Sequence, residues 1–193
     1  MPDQTRDPPD WQPILVGETV LLRPTRIDDW KEMAIAASDP LIWAGHPARD
    51  RYKAPVFREM FDSGLAGRGM LTIVERSTGA IIGTSRYHGH DPVRRTVEIG
   101  WTFLVRRHWG GATNGAVKRL MIDHAFRWVD CVHFRVGAAN WRSRGAMEKI
   151  GGTLREGTTD VVLNGVAVFH VVYEIRRDQW AVRMPAEAAD VPV

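Results

Sequence analysis

The sequence has a single cysteine, Cys131, and no apolar run of the length that a membrane-spanning helix needs. We therefore expect no intrachain disulfide, no cysteine-based metal site and no membrane partner. Residues 1–10 also lack the apolar stretch of a secretory signal. Together these absences favour a cytoplasmic location.

Lysine is scarce as well, because only four of the 26 basic residues are Lys and the rest are Arg. The 23 acidic residues leave a net charge of +3, and no basic run is longer than a pair such as Arg106-Arg107. A nucleic-acid-binding protein would show a basic run or stripe, so we expect no nucleic-acid partner. Two interpretations of the arginines remain: a solvated surface, or a site for a small anionic ligand beside one pair.

Glycine and proline, at 18 and 11 of 193 residues, are too few for a low-complexity chain. The length suits one domain, and no linker or internal repeat divides it. We predict a flexible arm at residues 1–13, a single domain over residues 14–185 and a flexible tail at residues 186–193.

β-Rich segments and amphipathic helices occur together along the chain, which predicts a mixed α/β domain. About seven strands are expected in a mostly antiparallel sheet flanked by helices, with one parallel pair across the helix between residues 96 and 138. The first helix should begin with Thr25 as its hydroxyl cap and end before Pro40. The predicted strands span residues 19–23, 70–75, 80–87, 96–104, 132–138, 160–163 and 166–175, and the later helices span 56–65, 113–129 and 141–150.

A strand, a glycine-containing turn and a long helix follow one another between residues 96 and 129. The unpaired N–H groups at such a helix start attract anions, and Gly110-Gly111 would let a ligand approach the backbone closely. The arginine pair at 106–107 suits a polyphosphate, although a plain tight turn with solvated arginines explains the same residues. The two common phosphate loops, G-x-x-x-x-G-K-[ST] and G-x-G-x-x-G, are absent.

Two motifs in this region resemble those of the GNAT superfamily of N-acetyltransferases. R-H-W-G-G-A at 107–112 fits the pyrophosphate loop R/Q-x-x-G-x-G/A, and the segment at 140–152 is similar to N-x-x-S-x-x-A-x-x-K-x-G. The sequences G-E-T-V-L-L-R-P, E-I-G-W, H-W-G-G and H-A-F are similar to the branch that contains the ribosomal-protein alanine and serine N-acetyltransferases. The resemblance covers about residues 16–175 and implies the GNAT acyl-CoA N-acyltransferase fold.

The resemblance implies acetyl-CoA as cosubstrate, with no metal. In a second register the loop starts at Trp109, so which N–H groups bind the pyrophosphate stays open within residues 107–114. In relatives the backbone near the end of the preceding strand polarises the thioester carbonyl, and the region around Trp43 and His46-Pro47 lines the acceptor pocket. The expected acetyl-CoA-binding residues are Phe103, Leu104, Val105, Arg106, Arg107, Trp109, Gly110, Gly111, Ala112, Thr113, Asn114, Asn140 and Arg144.

The implied reaction is direct transfer of the acetyl group to a primary amine in a ternary complex. Glu98 is the candidate base, and alternation places it on one strand face with Gly100 and Thr102. Ser143 is the candidate general acid. Each residue also has a simpler alternative role. Glu98 could form an ion pair with an arginine without acting as a base, and Ser143 could cap a helix without acting as an acid.

Two further interpretations remain open at this point, and several other residues are not expected to take part in chemistry. A GNAT fold can also serve as a non-catalytic CoA-binding or regulatory module. The acceptor could be a protein N-terminus or a small amine, read by this domain alone or by a second copy in a homodimer. His88, His90 and Asp91 lack a recognised metal-ligand pattern, and His124 and Cys131 are expected to be packed core residues.

Overall fold

The computed structural model describes residues 8–163 and 166–183, and an eight-stranded sheet forms its centre. The strand order is β1-β2-β3-β4-β5-β6-β8-β7. Every neighbouring pair is antiparallel except β5 and β6, which are parallel. The strands are β1 (Leu15–Val16), β2 (Val20–Pro24), β3 (Met70–Glu75), β4 (Ile81–Asp91), β5 (Thr96–Leu104), β6 (Cys131–Gly137), β7 (Thr153–Leu163) and β8 (Val166–Arg176).

Helices cover both faces of this sheet, and each face buries its own apolar cluster. On one face, α4 packs Val117, Met121 and Ile122 against β2 to β6 and β8. On the other face, α1 to α3 pack around Phe57 and Phe103. The helices are α1 (Trp30–Ala37), α2 (Pro40–Trp43), α3 (Ala54–Ala66), α4 (Thr113–Ala125), α5 (Trp141–Lys149) and α6 (Arg177–Arg183).

The parallel strands β5 and β6 stay paired over only three residues. Their register runs from Thr96 opposite Cys131 to Glu98 opposite His133 and then stops. Each strand keeps its other neighbour: β5 remains paired with β4 as far as Leu104, and β6 with β8 as far as Gly137. The two strands therefore diverge, and the gap between their carboxyl-terminal halves forms the cleft described below.

A bulge in β5 changes which residues share a face. Trp101 has a φ of 50°, and the register with β4 shifts between Thr84 and Arg86. Glu98 and Gly100 remain on one face, but Thr102 turns to the α4 side, where its Oγ1 accepts a hydrogen bond from Lys118. The prediction that Thr102 shares a face with Glu98 is wrong, because an extra bulge residue reverses the alternation of side chains beyond it.

The predicted fold class is confirmed, and the differences lie in short elements and in the bounds of longer ones. β4 ends at Asp91 rather than near residue 87, and β7 begins at Thr153 rather than at residue 160. The sheet has eight strands rather than about seven, because the two-residue β1 leaves almost no sequence pattern. α2 and α6 were not predicted, and α4 ends at Ala125 rather than near residue 129. Strands β7 and β8 pair as far as Leu163 and Val166, as expected of a hairpin, while Asn164-Gly165 lies outside the described residues.

The expected hydroxyl cap at Thr25 is also wrong. The chain enters α1 through a 3-10 turn at Ile27–Asp29, and the Asp29 carboxylate accepts the N–H of Arg26 at 2.9 Å. The Thr25 hydroxyl instead lies 3.0 Å from Thr72 Oγ1, whose own proton is donated to the Asp29 carboxylate at 2.8 Å. The buried acid Asp29, at the end of the 3-10 turn, thus replaces the Thr25 hydroxyl at this helix start.

Candidate active-site cleft

The gap between β5 and β6 is a cleft with a cavity volume of about 240 Å³. α2, α4, α5 and the loop after β5 complete its wall. The expected residues Trp43 and His46 lie in this wall, and Pro47 packs beside Gly137. Of the predicted acetyl-CoA-binding residues, the wall contains Phe103, Leu104, Trp109, Gly110, Asn114 and Asn140.

The start of α4 opens onto this cleft without a side chain to cap it. Ala112 occupies the N-cap position, so the first N–H groups of the helix have no side-chain acceptor. Gly110 has a φ of 74°, which favours glycine, and a Cβ on Gly110, Gly111 or Gly115 would meet nothing within 4 Å. Open space and unpaired N–H groups at a helix start suit a phosphate group. Gly111, Ala112 and Thr113 lie beside the lining residues rather than among them.

The two arginines of the loop point away from the cleft. Arg106 forms an ion pair with Asp39, and Arg107 lies 3.5 Å from Glu75. Together with Val105 they line a separate hollow against α1. The structure therefore gives both guanidinium groups carboxylate partners, a pairing that adjacent positions in the sequence do not reveal.

At the start of α5, two of the predicted site residues, Asn140 and Ser143, line the cleft, and a third, Arg144, points away from it. The Asn140 side chain caps the helix by accepting the N–H of Ser143 at 3.2 Å, and both residues line the cleft. The Ser143 hydroxyl makes no hydrogen bond within the described ranges. Arg144 instead donates to the Tyr173 hydroxyl and to the carbonyl of Ala138.

Glu98 lies just behind the cleft wall, at the last position where β5 pairs with β6. Its carboxylate is 3.7 Å from the guanidinium of Arg135, which does line the cleft. A Cβ at Gly100 would lie 3.4 Å from Glu98 Oε1, so the missing side chain leaves the carboxylate close to the cleft surface. The side chain of Glu98 is 16% exposed, which is enough for contact with water.

Near the end of β5, one backbone N–H group points away from β4, towards the cleft. Val105 donates its N–H to Ile82 on β4. Backbone groups alternate in direction along a strand, so the N–H and C=O of Leu104 point away from β4, towards the gap that β6 has left. The carbonyl of Leu104 accepts the indole N–H of Trp109 at 2.9 Å, which supports this direction. The N–H of Leu104 is thus available to a carbonyl oxygen in the cleft.

Lys118, which the sequence analysis did not single out, lies at the floor of the cleft. It is 3% exposed, donates to Thr102 Oγ1 at 2.7 Å and lies 5.2 Å from the ring centroid of Phe134. Burial lowers the pKa of its ammonium group from 10.5 to about 7. One signal could have found it: it is a charged residue next to Val117 on the apolar face of an amphipathic helix.

Cys131 is buried, as predicted, but it is not isolated from other potential metal ligands. Ligand atoms of Cys131, His133 and Glu174 lie within 4.8 Å of one another. Arg155 lies 3.4 Å from the same Glu174 carboxylate, and a cation beside the ligands opposes a bound metal ion, so we assign no metal here.

The comparisons with known proteins agree with this geometry. Residues 19–153, more than half of the chain, match the family described as Acetyltransferase (GNAT) domain. The chain belongs to the GNAT acetyltransferase family. The match runs from β2 to the start of β7, so it includes the α4 loop, the cap of α5 and all of the cleft lining except His170 on β8. No curated protein matches the sequence.

Solved GNAT structures share this fold at low sequence identity. A probable GNAT-family acetyltransferase from Chromobacterium violaceum has a TM-score of 0.78 at 16% identity, covering 93% of this chain and 96% of that one. A GCN5-related N-acetyltransferase from Brucella melitensis has a TM-score of 0.75 at 18% identity, covering 88% and 80%. RimJ from Mycobacterium smegmatis, solved with CoA-disulfide, has a TM-score of 0.65 at 20% identity, covering 86% and 87%.

These likenesses establish the GNAT fold, and the family match makes the domain an acetyltransferase domain. In the described ranges 8–163 and 166–183, no helix has the length and apolar character to cross a membrane.

Proposed function

We propose that this protein transfers the acetyl group of acetyl-CoA directly to a primary amine, either a protein N-terminus or a small molecule. One geometric feature carries the proposal: the uncapped, glycine-lined start of α4 opens on the same cleft towards which strand alternation directs the N–H of Leu104. The first suits the phosphates of CoA, and the second suits a thioester oxygen. The RimJ structure with CoA-disulfide supports a CoA site in this fold.

The residues then have distinct roles. The amine nitrogen attacks the thioester carbon, forming the C–N bond while the C–S bond breaks. The N–H of Leu104 stabilises the oxyanion that develops on the carbonyl oxygen. Glu98 receives the amine proton, through water that reaches it past Gly100, and Ser143 donates a proton to the departing thiolate.

Asn140 holds the start of α5 in place and therefore positions Ser143. The amide of Asn140 also faces the cleft, where it can bind the pantetheine amides. Trp109 and Gly110 border the phosphate end of the same cleft. We further propose that the protein is related to the branch of the ribosomal-protein N-terminal acetyltransferases, on the basis of the E-I-G-W, H-W-G-G and H-A-F segments.

Thiol release from acetyl-CoA in the presence of a panel of amines and N-terminal peptides tests the proposal. Ser143→Ala should lower kcat about 100-fold, because a positioned general acid contributes about that much. Ser77→Ala, in the exposed β3–β4 turn, is the matched control and should leave the rate unchanged. Release that never exceeds background with any acceptor, while acetyl-CoA binds in calorimetry, would support the non-catalytic CoA-binding module instead.

Glu98→Gln tests the base. The variant depends on the small unprotonated fraction of the amine, so its deficit should be largest at low pH and should shrink as pH approaches the pKa of the amine. Glu59→Gln, on the exposed surface of α3, is its control. A pH–rate profile identical to that of the wild type would remove Glu98 as the base.

A further inference from the structure

The cleft has a strongly one-sided charge. Its described lining residues include four basic side chains and three histidines but no Asp or Glu, although the whole chain carries a net charge of only +3. A cleft lined by one sign of charge concentrates ligands of the opposite sign. The basic and histidine residues in the lining are Arg51, Lys118, Arg135, Arg142, His46, His108 and His170.

Two of these cations already have an explanation. Arg135 faces Glu98 at 3.7 Å, so its charge is balanced. Burial lowers the pKa of Lys118 to about 7, so at pH 7 the amine is neutral in about half of the protein molecules. Arg51 and Arg142 remain as the permanent charges of the lining.

Neither Arg51 nor Arg142 forms an ion pair within the part of the chain that the structure describes. Arg142 lies 3.8 Å from the ring centroid of Trp109 and donates to the carbonyl of Ile42 at 3.0 Å. Arg51 lies 5.7 Å from the ring centroid of Trp43. Burial lowers the pKa of both guanidinium groups, although Asp50 partly offsets the effect at Arg51. Desolvated cations held on aromatic rings without a carboxylate partner lack a counter-charge.

A hydrogen-bond donor of His46 faces a hydrogen-bond donor of Arg51. The Ala48 N–H donates to His46 Nδ1 at 2.9 Å, so the proton of the neutral ring is on Nε2. Burial lowers the pKa of His46 to about 3, which keeps the ring neutral at physiological pH. That Nε2–H lies 3.3 Å from Nη1 of Arg51, which is also a donor. An oxygen acceptor bound between them would satisfy both groups.

We infer that the acceptor is an amine carrying an oxyanion group, a carboxylate or a phosphate, which binds to Arg51, Arg142 and the Nε2–H of His46. This inference rests on the proposed acetyl transfer and narrows its acceptor. The phosphates of CoA have their own cradle at the start of α4, whereas Arg51 and His46 belong to the α2–α3 connection. Dicationic amines are repelled by this lining, so they are poor acceptors.

Four short amines test the charge preference with acetyl-CoA and the full chain: butylamine, 4-aminobutanoate, 2-aminoethyl phosphate and 1,4-diaminobutane. The anionic amines should exceed butylamine in kcat/KM by about 10- to 100-fold, because a hydrogen bond to a charged group is worth about that factor. The diamine should be the poorest. Whichever of the carboxylate and the phosphate is preferred identifies the oxyanion.

Arg51→Gln should abolish the preference by raising the KM of the anionic amine towards that of butylamine, without a matching change in the KM of acetyl-CoA. Arg49→Gln, an exposed neighbour on the same connection, should change neither. Equal use of neutral and anionic amines, or an effect of Arg51→Gln on the KM of acetyl-CoA alone, would overturn the inference while leaving acetyl transfer intact.

Calorimetric binding of the anionic amines in the presence of CoA separates the two proposals, because it needs no turnover. Binding that Arg51→Gln abolishes and Arg49→Gln retains supports the oxyanion site even if no amine is acetylated. The absence of any such binding, together with efficient turnover of butylamine, would contradict the oxyanion site and support transfer alone.

Discussion

Replacing Lys118 by methionine should stabilise the protein, most strongly at neutral and lower pH. Lys118 is 3% exposed, and its described environment offers a threonine hydroxyl and an aromatic ring but no carboxylate. Burying an ammonium group without a counter-charge favours the unfolded state. Methionine has a similar length and no charge, so it fills the same space without this cost.

The magnitude follows from the pKa of Lys118. In the unfolded chain it is 10.5, and in the folded protein burial lowers it to about 7. Between these values the unfolded state binds more protons, so the wild type becomes more stable as pH rises. A folded pKa of about 7 predicts a gain of about 2 kcal/mol between pH 7 and pH 9. Below pH 7 both states are protonated, and the full cost of burial remains.

Urea unfolding of the wild type and of Lys118→Met at several pH values between 6 and 9 measures this effect. Other titrating groups, such as Cys131, are common to both proteins and cancel in the difference. The stability advantage of Lys118→Met should be largest at pH 6 and should shrink by about 2 kcal/mol from pH 7 to pH 9. Parallel stability curves for the two proteins would refute the argument that the ammonium is desolvated.

Two further substitutions test the fold around the cleft by urea unfolding. Asp29→Ala should cost about 3–5 kcal/mol, because it leaves the half-buried Arg23 without its paired carboxylate, whereas Asp62→Ala in an exposed pair should change stability by less than about 1 kcal/mol. Burial acts to raise the pKa of Asp29, but hydrogen bonds from Arg23, the Arg26 N–H and Thr72 lower it on balance. The stability that Asp29 contributes should therefore be lost only as pH falls through the acid range. Equal losses of stability in Asp29→Ala and Asp62→Ala would contradict the role of the buried pair. Gly83→Ala should lower the free energy of unfolding by about 1–3 kcal/mol, because its Cβ would lie 2.0 Å from the carbonyl oxygen of Phe103. Gly115→Ala, whose Cβ would lie in open space, should not destabilise the protein. Similar losses of stability in both variants would argue against the steric cause.

Local patterns were sufficient for most of the architecture. β-Rich runs predicted β3 and β5 with their observed bounds, and the helical pattern predicted the start of α4 at Thr113. The glycine-containing loop before α4 predicted an anion site because a strand, a turn and a helix start are contiguous in the chain. Elements that are too short to show a period, such as β1 and α2, could not be predicted in this way.

The candidate site was predictable only in part. Asn140 and Ser143 line the cleft as expected, because their positions follow from a motif within one helix turn. Arg106 and Arg107 were expected beside the phosphates, but they pair with carboxylates instead. The partner of Arg106 is Asp39, between α1 and α2, and the partner of Arg107 is Glu75 in β3. The bulge at Trp101 moved Thr102 to the opposite face, and no residue type in the segment indicated a positive φ there.

By itself the sequence determined the fold class and the family, and it predicted the helix-start anion site, since each depends on residues that are close together in the chain. Tertiary structure alone decided the charge of the cleft. Arg51, Lys118 and Arg142 come from the α2–α3 connection, α4 and α5, and they converge only when these segments pack around the gap between β5 and β6. A net charge describes the whole chain, but burial and convergence decide which of those charges a ligand meets, and these depend on packing between distant segments.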